Sequence, residues 1–124
     1  MEFQKDNSFF TGRFKSIGFA FKGCVKLIQT EHSIMVQSFV GVVTICLGFY
    51  FEISREEWMF QTLALGLVLS VESLNTAAEK IADFINPDYH ERIGFIKDIA
   101  AGAVFFAAMA AIAIWSIIYL PRFF

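Results

Sequence analysis

Charged side chains are scarce in this sequence of 124 residues: Asp, Glu, Lys and Arg make up 18 %, whereas hydrophobic residues make up 56 %. A soluble domain usually carries roughly 25 % charged residues, so this chain lacks the polar surface that a water-facing globule needs. A net charge of −2 also argues against the basic surface with which nucleic-acid-binding proteins neutralise phosphates. The composition therefore predicts an integral membrane protein with no nucleic-acid partner.

Cysteines are few in this sequence, and phosphate-binding loop motifs are absent from it. The two cysteines, Cys24 and Cys46, fit no metal-ligand spacing, and we expect both to be inert thiols. The sequence contains neither a GxxxxGKS/T loop nor a kinase-type glycine loop, so a P-loop mechanism is excluded. No apolar segment followed by a small-residue cleavage site precedes residue 30, and we expect no signal peptide.

Two long stretches without charge predict membrane-spanning helices. Residues 33–51 supply 19 uncharged residues and residues 99–120 supply 22, after which we expect Pro121 to end the helix. An α-helix rises ~1.5 Å per residue, so each stretch is about as long as a hydrocarbon core of ~30 Å is thick.

A third uncharged stretch is shorter, because residues 58–71 supply only 14 residues before Glu72. A span needs ~20 residues, so a helix entering at Trp58 would leave the hydrocarbon near Ala77 and place Glu72 close to the headgroup boundary. We therefore predict one all-α membrane domain over residues 1–124, with spans at about 33–51, 58–84 and 96–120.

Residues 8–30 are predicted to form an amphipathic helix ahead of the first span. At about 100° per residue, one arc collects Phe10, Phe14, Ile17, Phe21, Val25 and Ile28, and another collects Lys15, Lys22, Lys26 and Gln29. Such faces are typical of a helix that lies in the membrane interface. Packing against the cytoplasmic end of the protein's own bundle is the alternative.

The distribution of basic residues predicts the topology. Five of them precede residue 33 and three lie between residues 79 and 98, whereas the turn at 52–57 and the C-terminus carry one each. The positive-inside rule then places the N-terminus in the cytoplasm and the 52–57 turn outside. An aromatic belt at the outer interface is expected from Tyr50, Trp58, Trp115 and Tyr119.

Acidic side chains form a stripe on the second predicted span. Its members fall within roughly 80° on a helix and are Glu72, Asn75, Glu79 and Asp83. Carboxylates this close repel one another unless a cation lies among them, and acids at membrane depth are costly enough to suggest function. The alternative, strongest for Asp83, is a set of solvated residues at a helix end.

A divalent metal or Lys97 could supply the cation. Lys97 and Asp98 begin the third span, and Glu31 precedes the first, so we expect these groups to share a cytoplasmic layer with Glu72 and Glu79. Carboxylates, a lysine and Mg²⁺ are the groups that hold phosphates and orient a hydroxyl. Phosphoryl transfer to a lipid is thus one hypothesis; a cation or proton transporter and a membrane scaffold are others.

Two motifs resemble those of a known family. Residues 71–83, VESLNTAAEKIAD, resemble the ExxNTAxExxxD signature of the prokaryotic diacylglycerol kinases, and residues 97–104, KDIAAGAV, resemble that family's KDxAAGAV element. The spacing between the motifs, the surface helix, the three spans and Glu31 also match. The resemblance covers nearly the whole chain.

The resemblance implies a homotrimer of three-span protomers with active sites shared between neighbouring chains, in the bacterial cytoplasmic membrane. It implies MgATP as phosphoryl donor and a membrane lipid as acceptor. Glu72 would be the catalytic base, Glu31 and Glu79 the metal ligands, and Asn75 a polar partner in the same site.

Further residues are placed by the same resemblance. Lys97 would contact the nucleotide phosphates, with Asp98 beside it, and Asp83 would support the acidic stripe. The nucleotide would also meet the cytoplasmic connection at Tyr89, His90 and Glu91, although surface loop residues are an equal alternative for the first two. Some members carry an arginine at the position of Gly12, so the neighbouring Arg13 is a weak candidate.

The lipid substrate remains open between two branches of that family. Diacylglycerol, giving phosphatidic acid, is the expectation for the family as a whole, and undecaprenol, giving undecaprenyl phosphate, is a near-equal alternative. Residues 52–58 and 120–122 look more like undecaprenol-type sequences, but they lie on the outer side, far from the chemistry.

Overall fold

The computed structural model describes residues 9–124, which form four α-helices and no strand. The helices are α1 (Phe9–Thr30), α2 (His32–Tyr50), α3 (Arg55–Ile85) and α4 (Glu91–Phe123). The all-helical prediction is confirmed for this part of the chain, and the expected start at residue 8 lies outside it. α1 and α2 are separated only by Glu31, whose extended backbone (φ −109°, ψ 115°) breaks the helix.

Local capping explains why α3 and α4 begin before the predicted spans. Ser54 and Glu57 form a capping box at the start of α3, each side chain bonding the other residue's backbone N–H. At α4, the imidazole Nδ1 of His90 accepts a hydrogen bond of 3.1 Å from the backbone N–H of Arg92. Both caps satisfy N–H groups that have no partner inside the helix.

The prediction that Pro121 ends the last helix is wrong, because α4 continues to Phe123. A proline removes one backbone donor and crowds the carbonyl four residues earlier, but only three residues follow Pro121 and little helix remains to be disrupted. A side chain also stabilises the last turn, because the Arg122 guanidinium donates a hydrogen bond to the carbonyl oxygen of Ile118.

α3 and α4 run antiparallel, with an ion pair at each end. Glu57 at the start of α3 binds Arg122 at the end of α4, and Asp83 near the end of α3 binds Lys97 near the start of α4. From Glu57 to Asp83 a helix rises about 39 Å, more than a hydrocarbon core of ~30 Å. The two pairs thus bracket a layer thick enough to be a membrane.

Small residues let the helices approach closely. Ala64 and Val68 of α3 pack against Ala107 and Ala111 of α4 in the main apolar core, as close helix contacts in membranes usually require. A second cluster, at the end of the bundle near the α2–α3 turn, contains Ile53, Ile118 and Tyr119, with Trp58 and Trp115 packed against it. The aromatic residues expected at the outer interface therefore include three that meet at one end of the bundle.

α2 contacts α3 through two glycines. A Cβ added at Gly41 would lie 2.7 Å from Leu65 Cδ1, and one added at Gly48 would lie 2.6 Å from Trp58 Cη2. Hydrogen alone fits at these positions, which let side chains of α3 lie directly on the α2 backbone. Gly66 and Gly102 have no such neighbour within 4 Å.

The apolar face of α1 is exposed over most of its length. Phe10, Phe14 and Phe21 are about 70 % exposed, and the main contacts of α1 are with the adjacent α2. This exposure favours a helix on the membrane surface over one packed on its own bundle.

Two of the helices, His32–Tyr50 and Glu91–Phe123, are long and apolar enough to span a membrane. α3 differs because its uncharged stretch, residues 58–71, is flanked by charged groups at both ends. Its length is nevertheless ample, since 31 residues rise about 46 Å.

Candidate functional site

Glu72 lies on the face of α3 that packs against the rest of the protein. The buried residues of this helix recur every three or four positions from Gln61 through Ala64, Val68 and Glu72 to Thr76, and Ala82 follows six residues later. Glu72 is only 8 % exposed, with Val68 one turn before it and Thr76 one turn after. A carboxyl group buried at such a position is costly, and it therefore suggests a functional role.

Asn75 follows Glu72 by one turn and carries an unsatisfied atom. Its Oδ1 is buried and accepts no hydrogen bond from the described residues. A buried acceptor without a donor costs roughly 1–3 kcal/mol, so this position is suited to a donor supplied by a bound group. Glu72 and Asn75 thus mark the inner end of the candidate site.

Lys97 and Asp83 meet at the end of the bundle that is predicted to face the cytoplasm. The Lys97 ammonium lies 2.7 Å from Asp83 Oδ1, and both side chains are partly exposed. The supporting role of Asp83 stays a prediction, and the structure shows that its carboxylate pairs with Lys97.

Glu31 pairs with a lysine that the sequence analysis did not select. Lys80 Nζ lies 3.2 Å from Glu31 Oε1, and the Thr30 hydroxyl lies 3.4 Å from the same oxygen. Lys80 directly follows Glu79, so Glu79 and Glu31 stand at a similar level of the bundle. Lys80 could have been selected from the sequence, because it follows Glu79, which was predicted to lie at the level of Glu31.

These groups form a column rather than the single layer that the sequence suggested. At ~1.5 Å per residue, Glu72 lies about 12 Å along the axis from Lys80 and about 16 Å from Asp83. Three helices do converge at the predicted cytoplasmic end, because α3 contacts Glu31 through Lys80 and α4 through Asp83. Glu79 and Asp98 are exposed there.

The predicted residues of the α3–α4 connection are exposed, and one has a structural role. His90 caps α4 through its Nδ1, which the sequence analysis did not anticipate. Tyr89 is 87 % exposed, with its ring 3.5 Å from where a Cβ on Gly94 would stand. Glu91 begins α4 and is exposed.

Arg13 lies apart from these groups, on α1. Its guanidinium carbon is 5.0 Å from the ring centroid of Phe9, a cation–π contact within the same helix. This contact ties Arg13 to the surface helix rather than to the acidic column.

The carboxylates fit Mg²⁺ only when it arrives with a nucleotide. Among residues 9–124, no three His, Cys, Asp or Glu side chains are grouped closely enough to hold a metal alone. Mg²⁺ in phosphoryl-transfer sites is usually bound by one or two carboxylates together with substrate phosphates and water. Two carboxylates at a similar level of the bundle meet this requirement. They are Glu31 and the exposed Glu79.

Comparison with known proteins identifies similar sequences over most of the chain. The sequence profile of prokaryotic diacylglycerol kinase matches residues 18–119. An undecaprenol kinase of Bacillus subtilis is 35 % identical over 88 % of this chain and 89 % of its own length. A diacylglycerol kinase of Synechocystis is 32 % identical over 86 % of this chain and 61 % of its own. A diacylglycerol kinase of Escherichia coli K12 is 26 % identical over 92 % of this chain and 93 % of its own.

Proposed function

Because this chain belongs to the prokaryotic diacylglycerol kinase family, we propose that it transfers the γ-phosphate of MgATP to the hydroxyl group of a membrane lipid. The observation that carries this proposal is the burial of Glu72 where the apolar stretch of α3 ends. A carboxylate at that depth can meet a lipid hydroxyl from the membrane and a phosphate from the cytoplasm.

Glu72 acts as the general base. One of its carboxylate oxygens accepts the proton of the lipid hydroxyl as the hydroxyl oxygen forms its bond to the γ-phosphorus and the bond to ADP breaks. Burial supports this role, since a carboxylate at the end of the apolar stretch of α3 can meet the hydroxyl group of a lipid. Asn75, one turn away, offers its buried Oδ1 to a donor in the same site.

The nucleotide occupies the cytoplasmic end of the column. Glu31 and Glu79 would hold Mg²⁺ brought in with the nucleotide, which would supply neutralisation of the phosphate charge. Lys97 binds the phosphates, and Asp83 positions Lys97 through the contact of 2.7 Å. The remaining contributions expected on the nucleotide side come from Asp98, Tyr89, His90 and Glu91.

We propose three membrane spans, made by α2, α3 and α4, in the bacterial cytoplasmic membrane. The N-terminus and the α3–α4 connection face the cytoplasm, in line with their excess of basic residues. We further propose a homotrimer in which neighbouring chains complete each active site. This assembly is the one that the resemblance to the family implies.

Undecaprenol is the first candidate acceptor and diacylglycerol the second. The motifs alone favoured diacylglycerol, but the undecaprenol kinase of B. subtilis is the more similar of two relatives that match over nearly their whole length, at 35 % against 26 % identity. Both lipids present a hydroxyl group at the membrane surface, so Glu72 has the same task with either.

The transporter alternative is disfavoured by the outer half of the bundle. A cation path needs polar groups that are free to bind the ion, whereas Thr44, Gln61 and Tyr119 hydrogen-bond to one another there. The layer around them is apolar. The acidic column therefore opens toward one side of the membrane only.

The test is phosphorylation of each lipid by the purified protein in mixed micelles with labelled MgATP. We expect label in undecaprenol above diacylglycerol, and a loss of at least about 100-fold in kcat for Glu72→Gln, the range of general base catalysis. Glu56→Gln is the matched control, because Glu56 lies on the same helix at its outer end and is exposed. Normal turnover by Glu72→Gln would contradict the proposal.

A further inference from the structure

Glu31 lies at an N-cap position but does not cap its helix. It precedes α2, and its side chain makes no capping hydrogen bond to the backbone of that helix. The carboxylate is engaged instead through Oε1, which pairs with Lys80, because the shorter hydrogen bond of the Thr30 hydroxyl, 2.7 Å, goes to the Lys26 carbonyl oxygen. The group that the proposed function assigns to the metal is therefore held by an internal cation.

The contact between Lys80 and Glu31 can be reversed easily. The Lys80 side chain is 70 % exposed, whereas that of Glu31 is 22 % exposed, so the lysine can move into water while the carboxylate stays in place. A distance of 3.2 Å brings the ammonium within direct contact of the oxygen. An exposed pair of this kind contributes little to stability, and a divalent cation can displace it.

We propose that Lys80 is a positioning residue that neutralises Glu31 until MgATP arrives, and that it leaves the carboxylate when the divalent cation binds. This inference rests on the proposed function, because it takes Glu31 as a metal ligand. A lysine and Mg²⁺ cannot occupy the same oxygen together, since like charges repel at that distance. Lys80 therefore competes with the metal and raises the metal concentration that the protein needs.

Direct metal binding tests the competition without relying on turnover. Mn²⁺ prefers the same oxygen ligands as Mg²⁺, and its free concentration can be followed by electron paramagnetic resonance with the detergent-solubilised full-length protein and ATP. We expect Lys80→Gln to lower the half-saturating Mn²⁺ concentration about two- to five-fold, the range that an exposed ion pair is worth. Lys80→Arg should bind as the wild type does, because it keeps the charge.

Lys22→Gln is the matched control, since it removes an exposed cytoplasmic lysine from α1 and should leave Mn²⁺ binding unchanged. A second measurement follows thermal unfolding without nucleotide or metal. Lys80→Gln should lower the unfolding midpoint slightly in the wild-type background and have no effect in a Glu31→Gln background, as expected when one residue acts through the other.

The outcomes separate this inference from the proposed function. A purely structural Lys80 would make Lys80→Gln bind Mn²⁺ equally or more weakly, and that result overturns the competition while lipid phosphorylation by the wild type still supports the kinase. If the wild type binds no Mn²⁺ with ATP and phosphorylates no lipid, the proposed function fails and this inference fails with it.

Discussion

Arg122, near the end of α4, holds Glu57, in the first turn of α3, through two hydrogen bonds of 2.8 and 2.9 Å. The paired geometry matches the fork of the guanidinium to both carboxylate oxygens. This contact joins the two segments that resemble undecaprenol-type sequences, residues 52–58 and 120–122. The contact lies at the opposite end of the α3–α4 pair from Asp83 and Lys97, far from Glu72 along α3.

This ion pair predicts a loss of stability in acid. Arg122, and then the backbone N–H of Ser54, lower the pKa of Glu57 from 4.5 to about 2. A carboxyl group whose pKa is lower in the folded state stabilises it above the unfolded pKa, and that contribution is lost as the pH falls from 4.5 toward 2. Unfolding in detergent, followed by circular dichroism, should show this loss in the wild type.

Glu57→Gln serves as the comparison for that measurement. It should lower stability near neutral pH by about 1 kcal/mol, at the upper end for exposed pairs because both side chains are partly buried, and its stability should fall less between pH 4.5 and 2. Equal pH dependence in the two proteins would show that Arg122 does not stabilise the ionised form.

The glycines of α2 predict unequal costs for the same substitution. At Gly48, a new methyl group would meet the rigid Trp58 ring at 2.6 Å and Ile53 Cδ1 at 3.2 Å, whereas at Gly41 it would meet the flexible end of Leu65. We expect Gly48→Ala to destabilise the protein by about 1–3 kcal/mol, as overpacking does, and Gly41→Ala to cost less.

Thermal unfolding in detergent measures both variants, with Gly66→Ala as control because a methyl group there meets nothing within 4 Å in the chain. Equal stability of the Gly48 and Gly41 variants would contradict the close contact between Gly48 and Trp58.

A hydrogen-bond network far from Glu72 predicts that a substitution within it lowers the stability of the protein without lowering kcat. The Tyr119 hydroxyl lies 2.5 Å from Gln61 Oε1, and Gln61 Nε2 donates to the carbonyl oxygen of Thr44 at 3.1 Å. Gln61 is about 16 Å along α3 from Glu72. Tyr119→Phe should therefore cost about 0.6–1.7 kcal/mol, the range for such bonds in membranes, with kcat nearly unchanged.

Unfolding and lipid phosphorylation measured on the same Tyr119→Phe preparation test this separation. A large fall in kcat with normal stability would connect the outer network to the chemistry, contrary to the distance between Gln61 and Glu72.

The local patterns in the sequence predicted the helices better than their contacts. Uncharged runs and amphipathic arcs placed each helix within about five residues of its observed bounds, because both reflect burial along a single helix. Pro121 misled the prediction, since a proline in a final turn disrupts little. The cap at His90 was missed because histidine is not among the usual capping residues.

Contacts between helices could not be read from one sequence. The acidic stripe of Glu72, Asn75, Glu79 and Asp83 followed from helical periodicity, but the packing that covers Glu72 and leaves Glu79 exposed on the same face depends on the neighbouring helices. The pairing of Lys80 with Glu31 depends in turn on where α1 ends. The motifs identified the family, whereas the order of these groups along the column required the fold.

The proposed roles of Glu72 as general base and Glu79 as metal ligand predict different kinetic effects when each residue is replaced. Glu79 is exposed near Lys80, about 10 Å along the helix from Glu72, so its carboxylate is well placed for the nucleotide and poorly placed for the lipid hydroxyl. Glu79→Gln should raise the Mg²⁺ concentration at half-maximal rate about ten-fold or more, as loss of a metal-site group does. Much of the rate should return at saturating Mg²⁺, whereas no Mg²⁺ concentration should restore Glu72→Gln.

Mg²⁺ titrations of lipid phosphorylation by these two variants, with Glu56→Gln as the outer-end control, provide the measurement. If Glu79→Gln kept the Mg²⁺ dependence of the wild type, its carboxylate would not be a metal ligand. If added Mg²⁺ restored Glu72→Gln instead, the roles of the two glutamates would be exchanged, because only a weakened metal site can be compensated by mass action.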